Sequence, residues 1–193
     1  MNQDIEAPVL LCVTGASGSI YALKFMEILS NLNQETHLII STAGKQVATL
    51  ELGSEGCARL FSLARVIYTH DDFTALPASG SSLWKAMVIM PCSMGTLAAI
   101  AHGMSQNLIH RAADCFLKER RPLVLCPRET PLNATHLKNL LSAHEAGAVI
   151  YPAMPGFYHL PQSIEDLAYF FAARVAGFLG LEPPDLKRWQ GIS

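Results

Sequence analysis

Apolar residues run without a break through 8–13 (PVLLCV), 86–90 (AMVIM), 123–126 (LVLC) and 148–151 (AVIY). THLIIS at 36–41 and RVIYT at 65–69 are more mixed versions of the same pattern. A strand covered on one face alternates apolar and polar residues, whereas one covered on both faces does not. Between these runs apolar residues recur at helical spacing. The helical stretches are IYALKFMEILSNL (20–32), AGKQVATLEL (43–52), GCARLFSLA (56–64), 91–103, NLIHRAADCFLKE (107–119), NATHLKNLLSAHEAG (133–147) and SIEDLAYFFAARVAGFLG (163–180). In the last of these, Ile164, Leu167, Phe171, Val175 and Phe178 form the predicted buried stripe. Arg174 falls at its edge, roughly 60° from the centre. Strands alternating with helices predict an α/β three-layer sandwich, with a mostly parallel sheet between helices. No repeat or linker divides the chain, so one domain is expected over 1–193. The tail LEPPDLKRWQGIS (181–193) is the segment expected to leave the body and pack over a site or a neighbouring subunit.

Composition sharpens this picture. The chain has 193 residues, of which 50% are hydrophobic and only 16% charged. That is little polar surface for a soluble protein, and it favours a homo-oligomer. The net charge is −2, and no basic run exceeds KERR at 118–121. A nucleic-acid binder needs a denser positive footprint. The five cysteines are scattered, odd in number and form no C-x-x-C pair, which fits a reducing cytoplasm. The start of the chain lacks the basic region of a signal peptide. No window reaches the about 18 uncharged apolar residues of a membrane helix. The nearest, 164–181, is broken by Glu165, Asp166 and Arg174.

In an open parallel sheet, ligands bind outside the carboxyl ends of the strands. The residues that follow each apolar run are therefore the candidates. They are Thr14-Gly15-Ala16-Ser17-Gly18-Ser19, Ser41, Pro91-Cys92-Ser93-Met94, Pro127-Arg128-Glu129-Thr130, and Pro152 with Pro155-Gly156-Phe157-Tyr158. The glycine-rich turn before a helix offers backbone N–H groups and a positive dipole end to an anion such as phosphate. The alternative is a plain strand–helix turn. GASGS matches neither G-x-G-x-x-G nor G-x-x-x-x-G-K-[ST], and it misses G-x-S-x-G because residue 19 is serine.

Four cations lack obvious partners: Arg111, Lys118, Arg128 and Arg174. Arg111, Asp114 and Lys118 share a helix face, where an Asp114–Lys118 pair is the bland reading. Arg174 either snorkels to water or meets an anion at a subunit contact. Arg128 and Glu129, side by side where a buried strand leaves the core, read either as a surface ion pair or as an anion site. Two phosphates would suit this supply of cations. The seven histidines show no H-E-x-x-H and no paired spacing, so no metal is expected. Cys92 precedes a helix whose dipole would favour its thiolate, but a buried inert thiol is the commoner case.

The segments TGASGS, MVIMPCSMGTLAAIAHG, NLIHRAADCFLKERRPLVLCPRETPLN, HLKNLL and PGFYHLP resemble the UbiX-type flavin prenyltransferases. That family was formerly described as 3-polyprenyl-4-hydroxybenzoate carboxy-lyases and is similar to phenylacrylic acid decarboxylases. The likeness runs from about residue 9 to the C-terminus. It implies a flavodoxin-like, Rossmann-type fold assembled as trimers within a dodecamer. It also implies transfer of a dimethylallyl group from dimethylallyl phosphate to reduced FMN, at a subunit interface, without a metal. The prenylated FMN would pass to a separate UbiD-type decarboxylase, in ubiquinone-type synthesis or aromatic acid decarboxylation. By the resemblance, Gly15, Ala16, Ser17, Gly18, Ser41, Ser93, Met94 and Thr96 hold FMN, and Arg111 is the flavin-side arginine. Lys118, Arg128 and Glu129 match the substrate-phosphate site, which Tyr158 and Arg174 complete from a neighbouring subunit. Glu51 matches a glutamate near the reacting centre, and Trp189 an aromatic that closes over it. With such residues, cations would stabilise the departing phosphate and Glu129 would orient it or take a proton. Trp84 and Trp189 would offer π faces to an allylic cation. Two positions depart from the usual pattern: Gly95 stands where relatives often carry lysine, and Met90 where alanine is common.

Three other readings remain. Flavin-dependent cysteine decarboxylases use a P-x-M-N-x-x-M-W motif, and PCSMGTLAAIA lacks its Asn and Trp. A non-catalytic FMN carrier would need the phosphate cradle but not Lys118, Arg128 and Glu129 together. A dinucleotide oxidoreductase would need the missing G-x-G-x-x-G.

Overall fold

Six parallel strands form one sheet in the order β3-β2-β1-β4-β5-β6. They are β1 (Val9–Val13), β2 (Thr36–Ile40), β3 (Val66–Tyr68), β4 (Ala86–Cys92), β5 (Leu123–Pro127) and β6 (Val149–Ile150). The helices are α1 (Ser19–Asn31), α2 (Thr42–Ser62), α3 (Met94–Ala101), α4 (Leu108–Lys118), α5 (Ala134–Glu145) and α6 (Ile164–Phe178), with a short 3₁₀ turn at Leu76–Ala78. The structure is a computed structural model, and it describes residues 7–184 and residue 186. Trp189 and the tail beyond 186 lie outside the described residues.

Successive side chains of a strand point to opposite faces, so an uninterrupted apolar run must build two cores. Val9, Leu11 and Val13 of β1 enter one cluster with Phe25, Leu29, Phe171 and Val175, from α1 and α6. Leu10 and Cys12 enter a second with Leu97, Ile109 and Phe116, from α3 and α4. The strand order reverses between β1 and β4, and this is the switch point at which doubly wound sheets open a ligand crevice. Among the described residues, no helix is long and apolar enough to cross a membrane.

Two details correct or refine the sequence reading. The two helices expected at 43–52 and 56–64 run together as α2, with a break at Gly53 (φ 67°, ψ −175°), a backbone shape that glycine adopts without strain. In α6 the large residues at the ends of the predicted stripe are exposed, Ile164 at 70% and Phe178 at 54%. The buried face instead uses Ala168, Phe171, Ala172, Val175 and Ala176. Small side chains let α6 lie close against α1, and hydrophobicity alone does not rank them first.

Candidate active site at the carboxyl edge of the sheet

The ends of the central strands are tied to each other through the backbone. The Thr14 hydroxyl donates to the Pro91 carbonyl (2.9 Å) and accepts from the Ser93 N–H (2.8 Å). The Ser41 N–H donates to the Val13 carbonyl (3.0 Å), the Arg128 N–H to the Cys92 carbonyl (3.3 Å), and the Tyr151 N–H to the Leu125 carbonyl (2.8 Å). The glycine-rich turn, Ser41, Ser93 and Arg128 are therefore brought to one edge, as the apolar runs predicted.

The helices that follow β1, β2 and β4 begin at this edge, and the first four N–H groups of a helix lack intrahelical partners. In α2, the Ser41 hydroxyl accepts from the Gly44 N–H at 3.0 Å. In α3, the Ser93 hydroxyl accepts from the Thr96 N–H at 3.3 Å and meets the Thr96 hydroxyl at 3.1 Å. Thr96 and Met94 are themselves buried, so they shape the turn from beneath. The cap leaves the N–H groups of Met94 and Gly95 at the open end of α3. A Cβ on Gly95 would meet nothing within 4 Å, so the space beside the first turn of α3 is clear.

The N-terminus of α1 is different. Gly18 caps it in the left-handed region (φ 116°), with no side-chain cap of its own. A carboxylate from α2 fills the role: Glu51 accepts from the Gly18 N–H at 2.9 and 3.1 Å and from the Ser19 N–H at 2.7 Å. Burial would raise the Glu51 pKa, but hydrogen bonds from the Ser17 side chain and from the Ser19 and Gly18 backbone outweigh it and hold it below the usual value. The anion cradle expected for a phosphate in GASGS is thus occupied by the protein's own carboxylate. At α2 and α3 the serine caps satisfy only the third N–H of the helix, so their first N–H groups remain for an anion.

Arg128 grips the same turn from the other side, its Nε donating to the Ser17 carbonyl at 3.1 Å. Among the described residues no ion pair joins Arg128 to Glu129. The Glu129 carboxylate accepts from the Thr130 N–H at 3.0 Å and stays exposed at the rim. The surface ion pair is therefore not what places these two residues together. The turn must also lie close to α2. A Cβ on Gly15 would fall 2.7 Å from the Ala43 Cβ, and one on Gly44 would fall 2.6 Å from the Val13 carbonyl oxygen. Ala16 is buried beneath the turn, while Gly15 and Ser17 face solvent.

A second group gathers beyond β6. Burial raises the Tyr151 pKa, the charge of the neighbouring Arg174 opposes that rise, and Tyr158 adds to it. Tyr158 packs edge-on against Phe170, with ring centroids 5.2 Å apart. Tyr21 and Tyr151, which the motifs did not single out, both pack on Phe171. Their signal in sequence is weak, because the contacts join residues far apart in the chain.

Other candidates lie elsewhere in the chain. Lys118 ends α4, before β5 begins, whereas Arg128 follows β5, so a strand of about 16 Å separates them. Lys118 pairs with Glu119 at 2.6 Å, and Asp114 pairs with Arg111 at 2.8 Å, so the expected Asp114–Lys118 pair does not form. Arg111 also donates to the Ala78 carbonyl (3.1 Å), which holds it against the 3₁₀ turn rather than the glycine-rich loop. Trp84 is the clear correction. It precedes β4 at the opposite edge and is buried at 6% exposure, edge-on to His37 at 5.1 Å. Its π face belongs to the core. Cys92 is fully buried, and burial pushes its thiol up to about 12, so it is no nucleophile at neutral pH.

A Flavoprotein family model matches residues 2–168. The flavin prenyltransferase UbiX of Methanothermobacter thermautotrophicus is 48% identical over 183 residues, covering 95% of each chain. Among solved structures, AnUbiX (PadA1) in complex with FMN and dimethylallyl pyrophosphate superposes with a TM-score of 0.93 at 40% identity, covering 97% of this chain and 99% of that one. A dodecameric FMN-dependent UbiX-like decarboxylase from Escherichia coli O157:H7 gives a TM-score of 0.91 at 38% identity, covering 95% of this chain and all of that one. Taken with the strand-edge cluster, these likenesses place the chain in the flavoprotein family, as a prenyltransferase of the UbiX type.

Proposed function

We propose that the protein transfers a dimethylallyl group from dimethylallyl phosphate to reduced FMN, and that the product serves a separate UbiD-type decarboxylase. The observation that carries this reading is the Ser17–Gly18–Ser19 turn, held between Arg128 and Glu51 beside the open N-terminus of α3. The residues present fit FMN. Gly95, two residues after the Ser93 cap of α3, has open space beside it, and the first N–H groups of α3 suit a phosphate. Gly15 and Gly44 keep the loop close to α2, where side chains would not fit. Bound reduced FMN would supply the nucleophilic ring positions.

The protein's own residues would do the rest. Arg128, already anchored through Nε, has its terminal nitrogens to offer to the substrate phosphate, and a guanidinium suits such an oxyanion. Charge that builds on the departing phosphate is stabilised by groups fixed in advance. Glu129, exposed beside Arg128, is placed to accept a proton. Ser17 would face the flavin, and Glu51 would hold the turn that presents it. Arg174 and Tyr158 would bind the phosphate from the second cluster, with Trp189 and the tail closing the site.

Lys118 and Arg111 fit this scheme as contributions from another copy of the chain. Each chain carries its Lys118 at the edge opposite its own Arg128. The apolar composition and exposed large residues such as Leu50 (85%) and Leu83 (76%) support a homo-oligomer, of which a trimer-based dodecamer is the expected form. Five free buried cysteines suit the reducing cytoplasm.

The test is phosphate release under nitrogen with reduced FMN and either dimethylallyl monophosphate or diphosphate. One equivalent of inorganic phosphate per flavin consumed from the monophosphate supports the reading. Release of pyrophosphate from the diphosphate alone would reassign the donor, and release of neither anion would contradict the transfer.

A further inference from the structure

Helix α4 ends by turning the chain back on itself. Arg120 takes a left-handed backbone (φ 55°). Its N–H donates to the Leu117 carbonyl at 3.0 Å, and the Arg121 N–H donates to the Phe116 carbonyl at 2.8 Å. These two bonds cap the last carbonyls of the helix and return Arg121 beside its final turn. There the Arg121 guanidinium donates to two carbonyls of one loop. Nη1 reaches that of Ser82, and Nη2 that of Gly80 at 2.8 Å. The other end of the loop is held by α4 itself. The Ala78 carbonyl accepts from the Arg111 Nε at 3.1 Å and from the Cys115 thiol at 3.3 Å. Residues 78–82 therefore lie along the face of α4 that carries Arg111, Cys115 and Lys118. Gly80, in the middle of the loop, stands against the Lys118–Glu119 pair. A Cβ there would fall 2.5 Å from the Glu119 Oε1 and closer still to the Lys118 Nζ. The ammonium thus occupies space that a side chain at Gly80 would take.

We infer that Arg121 is a positioning residue for the transfer: by fastening the 78–82 loop along α4, it sets where the Lys118 ammonium stands when the substrate phosphate arrives. The inference rests on the reading of Lys118 as a phosphate-binding residue. A lysine ends a flexible four-carbon stem, and fixing it when an anion binds costs conformational entropy. Its pair with Glu119 is half exposed, and such a pair restrains a side chain only weakly. A backbone wall that is itself held in place narrows the positions open to the ammonium beforehand. The planar fork of an arginine suits two fixed carbonyls, which the single ammonium of a lysine does not match. The same loop holds Arg111, so both cations would reach a neighbouring chain's site as one unit.

Two variants test this from opposite sides. Arg121→Ala releases the loop. Gly80→Ala leaves the loop fastened and displaces the ammonium. Its Cβ would meet only the ends of two flexible side chains, so its melting temperature should stay close to that of the wild type. Binding of dimethylallyl phosphate to the protein loaded with oxidised FMN, followed by calorimetry, reads both without turnover. Each variant should bind it roughly 10-fold more weakly, the size of one charged hydrogen bond, and Gly80→Ala should keep its FMN affinity. In a Lys118→Ala background neither substitution should weaken binding further, because each acts through Lys118. Wild-type affinity in either variant, or a loss undiminished in the Lys118→Ala background, would overturn the inference while Lys118 stays in the site. Wild-type affinity in Lys118→Ala itself, or no binding by the wild type, would overturn the reading of Lys118 and the inference with it. Coupling as expected, with reduced FMN left unmodified, would overturn the proposed reaction while the positioning role stands.

Discussion

Arg128 and Ser17 are 111 residues apart in sequence, and the Arg128 Nε donates to the Ser17 carbonyl oxygen at 3.1 Å. One arginine thereby joins the end of β5 to the turn after β1. Arg128→Lys keeps the charge but has no fork to hold turn and phosphate together. Its transfer rate should fall about 100-fold or more, with thermal stability nearly unchanged. Phosphate release and a melting curve on the same sample check this. Near-normal turnover would remove Arg128 from the phosphate site.

Glu51 gives the fold a pH dependence of known sign. Its pKa is lowered in the folded chain, so its grip on Gly18 and Ser19 is complete above the ordinary glutamate range. That contribution fades as pH falls through the lowered folded value. Glu51→Gln keeps one acceptor and loses the charge, which should cost about 1–2 kcal/mol at neutral pH. Urea unfolding of both proteins should show this gap at pH 7 and its closure in acid. A gap independent of pH would contradict the carboxylate's role.

Gly44 tests the close approach of α2 to β1. A Cβ there would lie 2.6 Å from a backbone oxygen, that of Val13, which cannot swing aside. Gly44→Ala should destabilise the fold by about 1–3 kcal/mol and reduce the FMN that co-purifies. Gly95→Ala is the control: its Cβ meets nothing within 4 Å, so it should leave stability equal or slightly higher. Differential scanning calorimetry of the pair separates the two.

Lys118 and Arg128 lie at opposite ends of β5, so a site that uses both must draw them from two chains. Lys118→Ala and Arg128→Ala proteins should each be nearly inactive alone. Co-refolded in equal amounts, they should regain about a quarter of wild-type activity, one half times one half, at interfaces where each chain supplies what the other lacks. No recovery in verified mixed oligomers would place the two residues in separate functions.

Much of this was legible from the chain. Short unbroken apolar runs bounded by turn residues read as buried strands, and those runs marked which residues reach the carboxyl edge. Ser41 was readable as the residue before a helix and proves to be its cap, whereas the helix read over 91–103 begins only after Ser93, because β4 runs on to Cys92 and Ser93 is the cap. What could not be read is how one helix sits against the next. Glu51 reaches the N-terminus of α1 only because α2 packs beside it, and no local pattern encodes that register. For the same reason nothing in GASGS signalled that its Gly18 and Ser19 N–H groups meet the Glu51 carboxylate. Trp84 looked available as an aromatic, yet it fills the core at the far edge. In α6, alanines rather than Ile164 and Phe178 make the contact, since close approach rewards small size. The contacts of Tyr21 and Tyr151 with Phe171 join three distant segments and left no trace in spacing.

The measurement that tests the account most directly is the mass of the flavin extracted after the purified protein meets reduced FMN and dimethylallyl phosphate under nitrogen. The account predicts FMN heavier by one dimethylallyl unit, formed by the wild type and lost in Arg128→Lys. Unmodified FMN that stays bound to the wild-type protein would contradict the transfer and leave a flavin carrier in its place.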